Sequence, residues 1–209
     1  MLSISFIVVS FWFFYKYCKS DEFLFGIKAA KSPLFRFCRQ FVEYGARNEG
    51  YNALAEIVDK VVYNEFNHAR LLYTLIQQAS KNQIDNIQIN AGYPFKEKWN
   101  LTENFALAAE DHESEIKMYQ SFEKTARSEG FEDVANTFKM LADVEKQHKK
   151  IFDDLHNQLK NGTLYKKDKA TTWRCSGCGY EASSKEAWDE CPLCKAKQGF
   201  VNVKTSAIK

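Results

Sequence analysis

Residues 46–51 read Ala-Arg-Asn-Glu-Gly-Tyr, and residues 126–131 read Ala-Arg-Ser-Glu-Gly-Phe. Nineteen positions after its first residue, each copy closes on Glu-x-x-His: Glu65 with His68, and Glu145 with His148. The offset between copies is 80 residues throughout. An acid and an imidazole three positions apart share one face of a helix. Two such pairs, at matching places in a repeat, predict a two-fold-like metal site inside a helix bundle.

The surroundings of each pair strengthen that reading. Leu54, Val58, Val61, Glu65, His68, Leu72 and Leu75 follow the alternating three-and-four spacing of one inward helical face. Val134, Phe138, Leu141, Glu145, His148, Phe152 and Leu155 repeat it. Both pairs therefore interrupt apolar stripes, where unpaired charge is costly to bury without a cation. The spacing predicts helices over about 52–80 and 132–159. Another runs from about 102 to 128, and residues 23–45 can form a further one, where Pro33 fits best in a first turn capped by Ser32. Residues 80–100 suit a long crossover between bundle halves.

The third helix carries the acid-rich run Glu110-Asp-His-Glu-Ser-Glu115. Anchoring its inward stripe on Met118 and Phe122 places Ala108, Asp111 and Glu115 inward, and Glu110 and Glu113 a face away. His112 reads as a surface or boundary residue, His156 as exposed, and Tyr119 either as a donor to a ligand carboxylate or as packing. Asn161-Gly162 ends the fourth helix, and a basic linker, Lys166 to Lys169, follows.

The last forty residues change character. Cys175-Ser-Gly-Cys178 and Cys191-Pro-Leu-Cys194 are separated by twelve residues. Two thiolates three positions apart in a turn bind one ion, and two such turns complete a tetrahedron. Gly179 and Pro192 fit those turns. Iron and zinc both accept four sulfurs, so the ion stays open at this point. Cys18 and Cys38 have no near cysteine, and Cys38 reads as a core thiol.

Composition is consistent with one medium domain and one small one in 209 residues, with three prolines and nine glycines. A dispersed net charge of +2 implies no nucleic-acid surface. Met1 to Phe14 is almost wholly apolar but shorter than the ~18–20 residues a spanning helix needs. A membrane contact through 1–17 is thus disfavoured against a packed terminal segment or an atypical start of the reading frame. The domains expected are 1–22, an apolar segment; 23–165, the bundle; and 170–209, the cysteine module.

Taken together, the two Ala-Arg-x-Glu-Gly-aromatic turns, the two Glu-x-x-His helices, Met118-Tyr119 and the four terminal cysteines resemble the rubrerythrin family over about residues 44–205. The resemblance implies an all-α ferritin-like four-helix bundle with a non-haem diiron site, joined to a rubredoxin-like domain holding an FeS4 iron. It implies an NAD(P)H-linked peroxidase reducing hydrogen peroxide to water, fed by an electron-donor reductase or rubredoxin. A head-to-tail homodimer and a cytoplasmic location in an anaerobe go with it. Metal ligands would be Glu65, His68, Asp111, Glu115, Glu145 and His148, with Cys175, Cys178, Cys191 and Cys194 in the second site. Within the first set His68 and His148 would be terminal, Glu65 and Glu145 bridging, and Asp111 terminal or labile.

Two departures accompany the likeness. The family's first helix supplies a Glu at the position occupied here by Ser32. Its third helix supplies Glu-x-x-Glu where this chain has Asp111 and Ser114, with Glu115 one residue along. An alternative follows: an iron-binding electron-transfer protein whose bundle site is incomplete and catalytically weak. A structural zinc ribbon on a redox-silent helical protein is a third reading.

Overall fold

The computed structural model describes residues 42–79 and 100–205. The readings of 1–22, of Ser32, Pro33, Cys18 and Cys38, and of the 80–99 crossover lie outside the described residues. Residues 42–48 are helical (α1, as far as described). There follow α2 (Asn52–Ala79), α3 (Leu101–Ser128), α4 (Glu132–Lys160), strands β1 (Lys166–Arg174) and β2 (Glu181–Glu186), and a 3-10 turn at Gln198–Phe200. Among the described residues, 59–79 belong to one compact unit and 42–58 with 100–205 to another. Each is taken by itself.

The repeated turn forms the same joint twice. Tyr51 N–H donates to the Ala46 carbonyl at 2.8 Å, and Phe131 N–H to the Ala126 carbonyl at 2.9 Å. Gly50 and Gly130 both take positive φ, +86° and +84°, which lets the chain leave one helix and start the next. Glycine is required there by the backbone and not by crowding, since a Cβ at either would meet nothing within 4 Å. The repeat also extends further back than its quoted letters. Arg47 pairs with Glu43 one turn earlier, and Arg127 with Glu123.

So short a turn folds α3 and α4 into a hairpin of neighbouring helices. Their facing residues zip along its length: Phe105 against Phe152 at 5.9 Å, Tyr119 against Phe138 at 6.0 Å, and Phe122 against Phe138 at 5.3 Å between ring centroids. The N-terminus of α3 is capped by Asn100, whose side chain accepts from Glu103 N–H at 3.0 Å. Buried stripes on α4 follow the expected face, except that Val134 is half-buried. In the other unit, Val61, Glu65, His68 and Leu72 of α2 are buried as expected, while Leu75 is half-buried.

The α3 stripe differs from the sequence reading. Its buried face is Phe105, Ala108, His112, Glu115, Tyr119, Phe122 and Ala126. Asp111 and Met118 are half-buried. Both candidate stripes contain Ala108, Glu115 and Phe122, so the choice rests on the residues between them. The ring area of Phe105, Tyr119 and His112 outweighs one Met side chain, and the helix turns accordingly.

Residues 166–169, read as a linker, form the first half of β1, where Lys166 pairs with Glu186 of the antiparallel β2. The small C-terminal core is Trp173, Ala187 and Val201, flanked by Tyr165 and Trp188. It is anchored to the helices at three places. Tyr165 stacks on Tyr51 with centroids 6.5 Å apart. Gly199 lies so close to the α1–α2 turn that a Cβ there would sit 1.7 Å from the Gly50 carbonyl oxygen. Gln158 ties the strand region to α4, donating to the Lys204 carbonyl at 2.8 Å and accepting from Lys167 at 2.6 Å.

Candidate metal centres

The four cysteines form one cluster, with all sulfurs within 4.8 Å of one another. Cys175 and Cys194 are 3.7 Å apart, as are Cys178 and Cys191, and none is in a disulfide. Two turns of the same build hold them. Gly179 N–H donates to the Cys175 carbonyl at 2.9 Å, and Lys195 N–H to that of Cys191 at 3.0 Å. Cys175 N–H returns to the Tyr180 carbonyl, and Cys191 N–H to that of Ala196. Gly179 has φ +78°, and Lys195 takes the same left-handed conformation at φ +64°. Sequence reasoning assigned the second turn to Pro192 and missed Lys195, which carries no glycine to mark it.

Two of these thiols shift in opposite directions, because their sulfur–sulfur contacts lower one and raise the other. Burial works to raise Cys191, but the N–H groups of Cys194 and Leu193 and the neighbouring thiols outweigh it and bring it to about 7. At Cys178 the Tyr180 N–H works downward, yet desolvation and the three other thiols push it up to about 12. Cys175 and Cys191 are buried, while Cys178 and Cys194 reach the surface. One side of the centre therefore reaches the surface. Four sulfurs at this spacing suit a tetrahedral ion.

The second centre is carried by α3 and α4. His112, Glu115, Glu145 and His148 are all at most 3% exposed. The Glu145 Oε2 atom lies between two imidazoles, 2.9 Å from His112 Nδ1 and 3.0 Å from His148 Nδ1. His112 Nδ1 is also 3.2 Å from Glu115 Oε2. Donor atoms of His112, Glu145 and His148 fall within 4.8 Å of one another. Phe152 stacks against the His112 ring at 5.3 Å, and His148 meets it edge-on at 5.1 Å. Two carboxylates and two imidazoles, walled by rings, make a donor set suited to iron, and burying it is costly without a cation.

In the other unit, Glu65 and His68 of α2 are buried, with Oε2 and Nδ1 3.5 Å apart. The Glu-x-x-His pairs thus have the same buried, mutually facing form on both helices. Asp111 is half-buried and not among the gathered donors. His112, read from the sequence as a surface or boundary residue, is instead fully buried at the heart of the α3–α4 cluster. The signal was available, because His112 falls on the Phe105–Ala108–Glu115–Tyr119 spacing. His156, expected to be exposed, is half-buried and donates through Nδ1 to the Thr102 carbonyl at 2.8 Å. Tyr119 is fully buried, stacked on Phe138.

Comparison with known proteins matches residues 39–170 to the rubrerythrin family model and 173–200 to its rubredoxin-like domain. Rubrerythrin of Clostridium perfringens is 33% identical over 159 residues, 76% of this chain and 80% of that protein. Rubrerythrin of Nitratidesulfovibrio vulgaris is 31% identical over 150 residues, 71% and 75%. Among solved structures, mixed-valence nigerythrin superposes with a TM-score of 0.57 at 19% identity, over 90% of this chain and 88% of that one. Among the described residues no helix is long and apolar enough to cross a membrane. The chain belongs to the rubrerythrin family, a ferritin-like four-helix bundle joined to a rubredoxin-like four-cysteine domain, and is a redox protein with iron cofactors.

Proposed function

We propose that this protein is a peroxidase, reducing hydrogen peroxide to water with electrons that originate on NAD(P)H and pass through the four-cysteine iron. The reaction balances as NAD(P)H + H⁺ + H₂O₂ → NAD(P)⁺ + 2 H₂O. The observation that carries it is the buried carboxylate–imidazole cluster of Glu115, Glu145 and His148 on α3 and α4. It occurs on a chain that also gathers four free thiols into one site. The ligands we assign to the diiron centre are Glu65, His68, Glu115, Glu145 and His148, with Asp111 as a labile one. Cys175, Cys178, Cys191 and Cys194 hold the single iron.

Bound iron supplies the electron transfer and the Lewis acidity toward the peroxide oxygens. The residues themselves perform the rest. Glu145 meets His112 and His148 with the same oxygen, and would be the carboxylate at the middle of the donor set that holds the metal. His148 is fixed by its contact with that oxygen. Phe105, Phe138, Phe152 and Tyr119 line the hairpin core around the cluster and keep bulk water out, which strengthens each charge interaction inside. The exposed edges of Cys178 and Cys194 give the donor its point of approach.

A bundle domain from 23 to 165, a cysteine domain of 170–209 extended back by the 166–169 half of β1, a head-to-tail homodimer and a cytoplasmic location complete the proposal. The test is iron analysis with stopped-flow addition of peroxide to the ferrous protein. Two bundle irons and one sulfur-bound iron per chain, with oxidation far faster than that of free ferrous ion, is the expected result. Ferrous protein oxidised no faster than free iron would overturn it. The half-buried position of Asp111 favours one second reading, electron transfer with a weak bundle site. Two spin-coupled irons per bundle in the oxidised state would rule that out.

A further inference from the structure

We infer that His112 is itself a ligand of the bundle metal, supplying a nitrogen from α3 in addition to the Glu-x-x-His histidines. The inference rests on the reading that the bundle holds metal, and goes beyond it in naming a donor. His112 and Glu115 are three residues apart on α3, as Glu145 and His148 are on α4, so each helix offers one imidazole and one carboxylate on one face. The α3–α4 hairpin brings the two pairs together with all four side chains buried.

The placement of the nitrogen argues for ligation over mere support. An imidazole that props a ligand carboxylate from behind donates to that carboxylate and faces away from the other donors. His112 Nδ1 instead meets two carboxylates of the cluster at once. It lies 2.9 Å from Glu145 Oε2 and 3.2 Å from Glu115 Oε2. Its ring also offers a donor atom within 4.8 Å of those of Glu145 and His148. The ring is clamped between Phe152 and the edge of His148, so its approach to a shared ion is fixed before any ion arrives. An N₂O₂ set from α3 and α4 suits iron, cobalt or zinc and is richer in nitrogen than a carboxylate cage.

Cobalt(II) NMR of the full chain, labelled with ¹⁵N in the histidine rings alone, tests this. A ring bound to paramagnetic cobalt shows a strongly shifted N–H signal, and the chain has only four histidines to assign. Replacing His112→Gln should remove one shifted signal while cobalt is still bound in the bundle, and His156→Gln should remove none. Retention of every shifted signal in His112→Gln overturns the inference and leaves the bundle-metal reading standing. Cobalt uptake with no shifted histidine signal at all in the wild type overturns both. Should His112→Gln fail to fold, the wild-type spectrum decides. A shifted ring N–H in dipolar contact with Phe152 protons supports ligation, and a His112 ring signal at its ordinary position overturns it.

Discussion

The two metal centres of this chain are built by opposite means. The four-thiol site is made by two turns, in which each cysteine pair spans three positions and each turn satisfies its own backbone bonds. The α3–α4 site is made by packing: His112 and Glu145 are 33 residues apart and meet because aromatic residues lock two helices in one register. Local turns tolerate change in the rest of the molecule. A site made by packing inherits the stability of its helices and is lost when their faces shift by one residue.

The largest expected effect separates the two. Cys191→Ser should abolish ferric-sulfur absorption and remove one metal equivalent, while far-ultraviolet circular dichroism of the helices stays unchanged. A loss of helix in that variant would mean the centres are not independent. Phe152→Ala attacks the other side. It removes a fully buried ring from Phe105 and His112, so destabilisation of about 3–5 kcal/mol is expected in denaturant unfolding. Bundle metal should fall while the four-cysteine iron is retained.

Smaller changes sharpen the comparison at the turns. Gly50→Ala and Gly130→Ala place a Cβ in open space but in a left-handed conformation, so each should cost roughly 1–2 kcal/mol. Comparable losses by thermal unfolding would show that the two copies of the joint carry similar strain. The smallest effect belongs to Lys195→Gly, which relieves the only non-glycine positive φ among the described residues. A gain of about 1 kcal/mol in stability of the metal-free chain is expected. An unchanged or lower midpoint would show that the second cysteine turn gains nothing from glycine.

The same contrast explains what was readable in the residues. Helix positions followed from periodicity, and α3 ends at Ser128 and α4 begins at Glu132 as its turn signals predict. The cysteine site was legible because its chemistry sits within four residues on each side. The phase of α3 was harder, since two overlapping stripes share Ala108, Glu115 and Phe122, and periodicity alone does not rank a Met against a Tyr and a His. That ambiguity put Asp111 inward and His112 outward. Lys195 escaped notice for a related reason: left-handed backbone is advertised by glycine, and here a lysine is held in it by surrounding bonds.

By itself the sequence determined α2, α3 and α4, the doubled turn, the buried Glu-x-x-His pairs and the two cysteine turns, because each depends on residues close together in the chain. Only tertiary structure decided that His112 enters the cluster and that Gly199 seats the small domain on the Gly50 turn. Those outcomes depend on which ring area wins a shared interior and on how closely two distant backbones approach. Neither quantity is local, so neither is written in any one stretch of the chain.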